Sequence, residues 1–468
     1  MSALQYLSIS DLVEGYSRKQ FSPVDVLAAQ LQRISDFDGQ VNAFTLLQAE
    51  QAKKAAQASE RRWLAGQPAG PLDGVTFTAK DNLLVEGLPS RRGSRAWSDA
   101  PVSETAPAVQ RCLEAGAVFL GLTTMPELGA GPVTISPLTG VTTNPWDTSK
   151  QAGGSSGGGA ASVAAGFCTF ALGTDAGGSL RIPAALTGVV GFKATGGLVP
   201  MYPPNVAGGL SCAGPLARSV REAAQVMDRI TLPDPRDAMT LPWRRQQYVS
   251  ALETSLRGKR FAMSLTLGYA PKVEPEVEAA FRSVGALLTD LGAAVEEVDP
   301  GVENPIDAYL VLLQAGYRYA LRTLSAAQRE LLSPTMQDIL LSAKEVTLED
   351  YMDAQAYCQQ LARKMQAFHQ RHDFLLTPTV ACAAFDANRT YPEAFEAFPN
   401  RRAWTPYTSL FNLTQQPAVS LPMGLTETGL PMGLHLSALR GEDEAVLQAA
   451  HALENVLGFA ARPRLQTA

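Results

Sequence analysis

The chain has 468 residues, a formal net charge of -6 at pH 7, 46% hydrophobic residues and 18% charged residues. This composition is typical of a globular protein, and basic residues that cluster only in pairs, such as Arg61–Arg62, do not suit a dedicated nucleic-acid surface. The longest run of small residues, 157–173, is interrupted by polar groups and is shorter than the roughly 20 residues that span a bilayer. Because the first seven residues also lack the pattern of a signal peptide, we expect a cytoplasmic protein with no membrane or nucleic-acid partner.

In roughly the first half of the chain, the predicted elements alternate between helices and strands. Ser22 and Pro23 are typical of a helix N-cap and first position, and they predict a helix through Ile34. Further helices are expected over 42–64, 106–115 and 220–230, and strands over 75–79, 117–122, 167–172 and 260–265. This alternation predicts an α/β fold, with three α/β/α layers around a large mixed, mostly parallel central sheet.

Long amphipathic patterns follow, including 275–291 and 350–371, and they predict a helical cap or insertion. Strands are expected again over 374–377, 418–421 and 432–436, and a last helix over 443–457. We therefore expect one domain over 1–468. Its regions are N-terminal helices (1–70), a catalytic core (71–230), the helical cap (231–373), and C-terminal strands and a helix (374–468).

The five cysteines are widely spaced and show no paired metal-ligand spacing; they are Cys112, Cys168, Cys212, Cys358 and Cys382. Reduced and mostly buried thiols are the expectation. Nothing in the sequence implies a metal ion or an organic cofactor.

Two glycine-rich segments are the most informative part of the chain. The first, 153–159, contains Ser155, and the second, 173–183, contains Ser179. Glycines allow backbone N–H groups to approach a ligand closely. Lys80 ends an apolar predicted strand. Two hydroxyls and one lysine, with such amides beside them, are sufficient for an acyl-transfer site without histidine.

Glycine-rich segments also occur in sites of different chemistry. A phosphate-binding loop would end in Gly-Lys-Ser or Gly-Lys-Thr, and no lysine follows either segment. Ser155 and Ser156 both fit the G-x-S-x-G nucleophile elbow, which would need a histidine base from among His369, His372, His435 and His451. A Ser-x-x-Lys pair occurs nowhere in the chain. Tight packing between a strand and a helix stays open as a purely structural role for these glycines.

The segments around Lys80, Ser155 and Ser179 resemble the amidase signature family of serine hydrolases, which uses a Ser–cisSer–Lys triad. The similarity continues through 144–147, 188–193 and 214–218, and more weakly through 377–379 and 417–422. The resemblance implies that Ser179 is the nucleophile, that Ser155 bridges it after a cis peptide bond, and that Lys80 is the base. It also implies an oxyanion hole from Ala176, Gly177, Gly178 and Ser179, and bracing of the loops by Ser156, Asp175 and Arg181.

A lysine can accept a proton only when it is neutral, so the pKa of Lys80 must fall from about 10.4, by burial or by a nearby positive charge. Asp81 would oppose this fall if its carboxylate faced the same site. Because neighbouring side chains along a strand point in opposite directions, we expect Asp81 to face elsewhere.

Three functions fit the resemblance. The first is a free-standing amidase with a small-molecule amide substrate, and the second is the glutaminase subunit of a tRNA-dependent amidotransferase. Segment 404–408 lacks the carboxylate expected for a glutamine pocket, which favours the first. The third is a binding scaffold without turnover. We expect Met125, Tyr309 and Phe411 to line the substrate pocket and to favour an apolar or aromatic acyl group. A homodimer is left open.

Overall fold

The computed structural model describes residues 4–204, 207–241 and 247–466. Parts of the four expected regions that fall on 1–3, 205–206, 242–246 and 467–468 lie outside the described residues. The strands are β1 Phe44–Leu47, β2 Thr76–Lys80, β3 Val118–Thr123, β4 Ile135–Ser136, β5 Gly140–Val141, β6 Thr143–Asn144, β7 Asp147–Gln151, β8 Phe170–Asp175, β9 Val190–Lys193, β10 Cys212–Ala217, β11 Arg260–Met263, β12 Ala294–Glu297, β13 Phe374–Pro378, β14 Ala418–Leu425 and β15 Pro431–Ala438. The helices are α1 Ile9–Ser17, α2 Pro23–Val41, α3 Ala49–Leu64, α4 Pro107–Glu114, α5 Gly157–Ala164, α6 Arg181–Thr187, α7 Val220–Ile230, α8 Tyr248–Ala251, α9 Pro275–Asp290, α10 Ile306–Ala320, α11 Ala326–Glu330, α12 Pro334–Ala343, α13 Leu348–His369, α14 Ser409–Leu413 and α15 Asp443–Leu457.

Within the described residues, eleven strands form one mixed sheet in the order β1-β3-β2-β8-β10-β9-β14-β15-β13-β11-β12. This confirms the α/β class and the large mixed sheet. The expected mostly parallel pairing is wrong, because six of the ten neighbouring pairs are antiparallel. The reason is local: β14 and β15 are joined by a tight turn at Thr426–Leu430, and β10 inserts between β8 and β9 instead of following a crossover.

Helices cover both faces of the sheet and form the three predicted layers. Alternate residues of β8 show this arrangement, since Phe170 and Leu172 pack into one hydrophobic cluster and Ala171 packs into another. The first cluster contains residues of α1, α4, α7, α8, α9 and α15. The second contains residues of α2, α3, α5 and α6, and a third covers α6 with residues of α10, α12, α13 and α14.

The helix predicted over 42–64 is interrupted. Asn42 adopts a left-handed conformation (φ 55°) and ends α2, and its side-chain amide donates to the carbonyls of Thr139 and Val141 at 2.6 and 2.9 Å. Phe44 then pairs with Thr123, so that β1 forms an edge of the sheet before α3 begins. The predicted cap at Ser22 is confirmed by its bond with the Asp25 backbone N–H, and helices 220–230 and 443–457 have the predicted bounds.

The region expected to be a helical cap, 231–373, contains α8 to α13, and it also contributes β11 and β12 to the sheet. Strand β11 pairs in parallel with both β12 and β13. Of the helices in the described parts of the chain, none has both the length and the apolar character needed to cross a bilayer.

Candidate active site

The fold brings Lys80, Ser155 and Ser179 together at one edge of the sheet. Strands β2 and β8 are parallel neighbours, so Lys80 and Asp175, their last residues, lie at the same edge. Ser155 lies just before α5, and Ser179 lies between the end of β8 and the start of α6. The Gly154–Ser155 peptide bond is cis, as the resemblance implies.

The three side chains form a continuous hydrogen-bonded chain. Lys80 Nζ donates to Ser155 Oγ at 2.8 Å, and Ser155 Oγ lies 2.9 Å from Ser179 Oγ. Lys80 is 1% exposed and Ser155 is 2% exposed, whereas Ser179 is half-buried and faces a cleft. A proton can therefore pass from an accessible hydroxyl to a buried amine through one intervening hydroxyl.

Burial lowers the pKa of Lys80 to about 7, and the nearby carboxylate of Asp175 opposes this shift. Two further contacts hold the amine: Nζ lies 3.2 Å from Thr174 Oγ1 and 3.5 Å from the Thr174 carbonyl oxygen. Asn82 donates to the same Thr174 hydroxyl at 3.0 Å. When Lys80 loses a proton, the direction of its bond with Ser155 reverses: the two remaining N–H groups can donate to Thr174, and the lone pair can accept from the Ser155 hydroxyl.

The carboxylate of Asp81 faces away from the site, as strand alternation predicts. It accepts from the backbone N–H groups of Arg91 and Gly93 at 3.2 and 3.1 Å. Burial raises the pKa of Asp81 to about 6, against these two hydrogen bonds. The carboxylate that acts on Lys80 is that of Asp175 instead.

Three residues with unbonded backbone N–H groups lie in the cleft beside the Ser179 hydroxyl. Ala176, Gly177 and Ser179 line the cleft, and their N–H groups donate to no atom of the described residues. Gly178, also expected in the oxyanion hole, has no free N–H in this structure. Its N–H donates to Asp175 Oδ1 at 2.7 Å, and the residue does not line the cleft. The short turn after β8 lets the Asp175 carboxylate bind the N–H three residues later, and this removes Gly178 from the group of free donors.

Asp175 and Arg181 form a buried ion pair beneath this loop. Arg181 donates to Asp175 through Nε and through a terminal nitrogen, both at 2.9 Å, and both side chains are fully buried. Burial alone would raise the pKa of Asp175, but Arg181 and Asn412 hold it well below its usual range. Asn412 contacts both partners of the pair, at 2.9 and 2.7 Å. Asp175 and Arg181 are thus placed where the resemblance expects bracing residues.

Ser156 connects the two serine loops. Its backbone N–H donates to the Ser179 carbonyl at 3.1 Å, and its hydroxyl donates to the Thr174 carbonyl at 3.2 Å. The loop that carries Ser155 is therefore tied to both ends of the segment that carries Ser179.

The histidines do not reach the cleft. His435 lies in β15 behind Arg181, which it contacts at 3.0 Å, and burial together with this cation holds the pKa of His435 well below its ordinary value. Of the other three histidines, His369 ends α13, His372 follows that helix, and His451 lies in α15. Among the described cleft residues none is a histidine, so the histidine-dependent elbow has no base here. No group of three or more His, Cys, Asp or Glu side chains in the described ranges could hold a metal ion.

The cavity volume of the cleft is about 30 Å³. Its described lining consists of Lys80, Asn82, Leu128, Gly129, Gly131, Pro132, Ser155, Thr174, Ala176, Gly177, Ser179, Ile182, Ala207, Ser211, Tyr309, Leu313, Tyr317 and Arg402.

Of the three residues expected to line the substrate pocket, Tyr309 lies in the cleft. Its ring packs against Gly177 so closely that a Cβ on that glycine would lie 2.0 Å from the tyrosine hydroxyl oxygen. Met125 lines a neighbouring pocket that shares Asn82 and Leu128 with the cleft. Phe411 does not line the cleft in this structure: it is fully buried in α14 and packs on the His435 ring.

Sequence reasoning missed Thr174, Asn82, Asn412 and Arg402. The first two belong to segments already singled out, and the polar residues next to a catalytic lysine and in a glycine-rich loop were a usable signal. No local pattern distinguishes Arg402 from the adjacent Arg401, and only the fold places one of them in the cleft.

Comparison with known proteins identifies the family. The amidase family model matches residues 25–447. The chain belongs to the amidase signature family. This amidase is 33% identical to an acylamidase of Rhodococcus erythropolis over 465 residues, which cover 98% of this chain and 97% of the relative. It is 34% identical to a glutamyl-tRNA(Gln) amidotransferase subunit of Moorella thermoacetica, with 96% of both chains covered.

A crystal structure of a bacterial aryl acylamidase of the amidase signature family superposes on this amidase with a TM-score of 0.90. The two chains are 30% identical, and 97% of each is covered. The amidase is thus a hydrolase that acts on amide C–N bonds, which agrees with the expected reaction class.

Proposed function

We propose that this protein is a free-standing amidase that hydrolyses a carboxylic amide to the acid and ammonia or an amine, through an acyl-enzyme on Ser179. The observation that carries the proposal is the unbroken chain from Lys80 through Ser155 to the half-buried Ser179 hydroxyl, next to free backbone amides. A serine hydroxyl is a weak nucleophile until a base removes its proton. This chain supplies such a base without a histidine.

In the first step, Ser179 Oγ bonds to the carbonyl carbon of the amide. Its proton passes to Ser155 Oγ, and the Ser155 proton passes to Lys80 Nζ. As the C–N bond breaks, the leaving nitrogen receives a proton along the same path and departs as ammonia or an amine. Water then attacks the acyl-enzyme, releases the carboxylic acid and restores Ser179.

The carbonyl oxygen gains negative charge during both attacks. The N–H groups of Ala176, Gly177 and Ser179 are the free donors that could stabilise it. Loss of one such donor typically costs on the order of 100- to 1000-fold in rate. Because Asp175 and Arg181 hold the loop from beneath, these donors need little rearrangement at the moment of reaction.

The alternative is the glutaminase subunit of an amidotransferase, since relatives of both kinds match the chain. The lining of the cleft argues against it. Glutamine brings an ammonium group, and the described lining residues include no carboxylate to pair with it. Segment 404–408 also binds to the protein's own backbone. The Tyr407 hydroxyl donates to the Leu265 carbonyl at 2.9 Å, and the Thr408 hydroxyl donates to the Gly177 carbonyl at 2.6 Å.

The test is product release by the purified chain on a panel of amides: glutamine, acetamide, benzamide, an anilide and a C-terminally amidated peptide. We expect turnover of a non-glutamine amide that is lost in Ser179→Ala and retained in Ser283→Ala, an exposed serine of α9. Turnover of glutamine alone, only with an added partner subunit, would favour the glutaminase. A folded protein that hydrolyses none of these amides and does not react with a fluorophosphonate would favour the binding scaffold.

A further inference from the structure

An arginine whose guanidinium has no hydrogen bond or ion pair with the described residues lines the same cleft as Ser179. Arg402 is half-buried and lines the cleft with Ser179. Its backbone is fixed, because its N–H donates to Asn400 Oδ1 at 2.9 Å and its carbonyl accepts from the Thr405 N–H at 2.9 Å. The guanidinium lies 5.7 Å from the centre of the Tyr309 ring and forms no hydrogen bond or ion pair with the described residues.

Several arginines of this chain form ion pairs with aspartate carboxylates. Arg62 bonds to Asp73, Arg236 to Asp234 and Arg260 to Asp373. Arg181, the cation closest in sequence to Ser179, is bound to Asp175. The guanidinium of Arg402 has no such partner among the described residues, and its position in the cleft beside Ser179 makes it available to a ligand.

Arg402 also sets the charge of the cleft. The ionisable side chains of the described lining are Lys80, Tyr309, Tyr317 and Arg402, and none of them is a carboxylate. Burial raises the pKa of both tyrosines, and Arg402 opposes this rise, which places its charge near both hydroxyl groups. Since Lys80 must be neutral to act as the base, Arg402 is the permanent positive charge of the site.

We propose that Arg402 determines specificity by binding a carboxylate of the substrate. The inference rests on the proposed amide hydrolysis at Ser179. A planar guanidinium binds a carboxylate through two parallel hydrogen bonds, which fixes both position and orientation. The side chains of Leu128, Ile182 and Leu313 give the cleft an apolar wall for the carbon body of the same molecule. The substrate class is thus an amide with an apolar body and a carboxylate.

The carboxylate can belong to either side of the scissile bond. On the acyl side the substrate is the monoamide of a dicarboxylic acid, and on the amine side it is an N-acylated amino acid. The experiment therefore has two arms. The first arm compares the monoanilide of adipic acid with hexananilide. The second compares N-hexanoyl-4-aminobenzoate, which carries a free carboxylate, with N-hexanoyl-4-methylaniline, which does not.

Amine release gives kcat/KM for the four compounds. In one arm we expect a preference of about 10- to 100-fold for the carboxylate-bearing compound, the size expected for a hydrogen bond between charged groups. Arg402→Gln should bring this ratio close to one, and Arg402→Lys should keep part of it. The matched control is Arg401→Gln, because Arg401 is exposed and lies over the Tyr391 ring at 4.4 Å, outside the cleft, and the ratio should not change.

A second measurement needs only the wild-type protein. Because an electrostatic contact is screened by salt, the preference should fall as the ionic strength rises. A ratio near or below one in both arms, with neutral anilides hydrolysed and Ser179→Ala inactive, would overturn the role of Arg402 and leave the amidase proposal intact. Absence of turnover of all four compounds and of the wider amide panel would overturn the amidase proposal and this inference with it.

Discussion

At the scale of single residues, the proposed chemistry depends on Lys80 and on a pKa that allows it to be neutral near pH 7. Burial lowers the pKa of Lys80 to about 7, and Asp175 keeps it from falling further. A carboxylate next to the site would hold the lysine charged, and the fold avoids this by directing Asp81 to backbone N–H groups and Asp175 to Arg181. Charge placement around one amine therefore decides whether Ser179 has a base.

This arrangement predicts the pH dependence of the reaction. Protonated Lys80 cannot accept a proton, so kcat/KM should rise by about one log unit per pH unit up to a pH of about 7 and then level off. Lys80→Arg, which stays charged at every pH, should be inactive throughout. The measurement is kcat/KM on one neutral amide from about pH 5 to 9, and a flat wild-type profile would contradict the role of Lys80.

A second residue-scale prediction concerns the buried ion pair of Asp175 and Arg181, beneath loop 176–179. Asp175→Asn would leave the fully buried Arg181 without its counter-charge, and we expect a loss of about 3–5 kcal/mol in the free energy of unfolding. Asp373→Asn, in the exposed pair with Arg260, is the matched control and should cost at most about 1 kcal/mol. Urea unfolding measures both, and equal losses would show that Asp175 does not carry this stability.

Most residues of the candidate site could be predicted from the sequence, because they lie in two glycine-rich segments and at the end of one apolar strand. Arg402 and Asn412 could not, since they join the site across more than 220 residues of chain and no local pattern marks them. The sequence does not show that the Gly178 N–H is bonded to Asp175, because a glycine in a loop does not reveal the partner of its N–H. Nor does it show that Phe411 is buried, because a large apolar residue suits a core as well as a pocket.

At the scale of elements, α10 packs against loop 176–179 without space for a further atom at Gly177. A Cβ on Gly177 would lie 2.0 Å from the Tyr309 hydroxyl oxygen and 2.5 Å from the attached ring carbon. The loop and α10 therefore fix each other's position, and the helical region contributes directly to the geometry of the cleft.

Gly177→Ala tests this contact. Because the added methyl group must displace α10 or the loop, we expect kcat/KM to fall by about 10- to 100-fold. Gly39→Ala is the matched control, since no atom lies within 4 Å of its added Cβ in α2; it should leave turnover unchanged and add about 0.5–1 kcal/mol to the free energy of unfolding. Normal turnover by Gly177→Ala would show that this loop tolerates displacement.

The helices were predicted better than the strand pairing. Caps such as Ser22 and periodic apolar positions are local signals, so α7 and α15 have the expected bounds. Pairing direction depends on which strands meet, and the antiparallel contacts of β10 and β9 join segments whose order in the sheet differs from their order in the chain. An edge strand as short as β1 cannot be distinguished in the sequence from the helices on either side of it.

At the scale of the whole molecule, one sheet connects the two halves of the chain. Strand β9 from the first half pairs with β14 from the second, and a single hydrophobic cluster includes Phe77, Phe261 and Leu434. We propose that the chain is one domain, as the sequence predicts. Its thermal unfolding should show one transition by both circular dichroism and tryptophan fluorescence, and two separated transitions would contradict this.

The central claim is that an acyl group forms on Ser179, and trapping that group tests it most directly. The protein is mixed with an anilide that it hydrolyses, quenched in acid during turnover and digested, and its peptides are analysed by mass spectrometry. We predict the acyl mass on the peptide that contains Ser179, absent in Ser179→Ala and retained in Ser283→Ala. An acyl group on another residue, or turnover that continues unchanged in Ser179→Ala, would contradict the account.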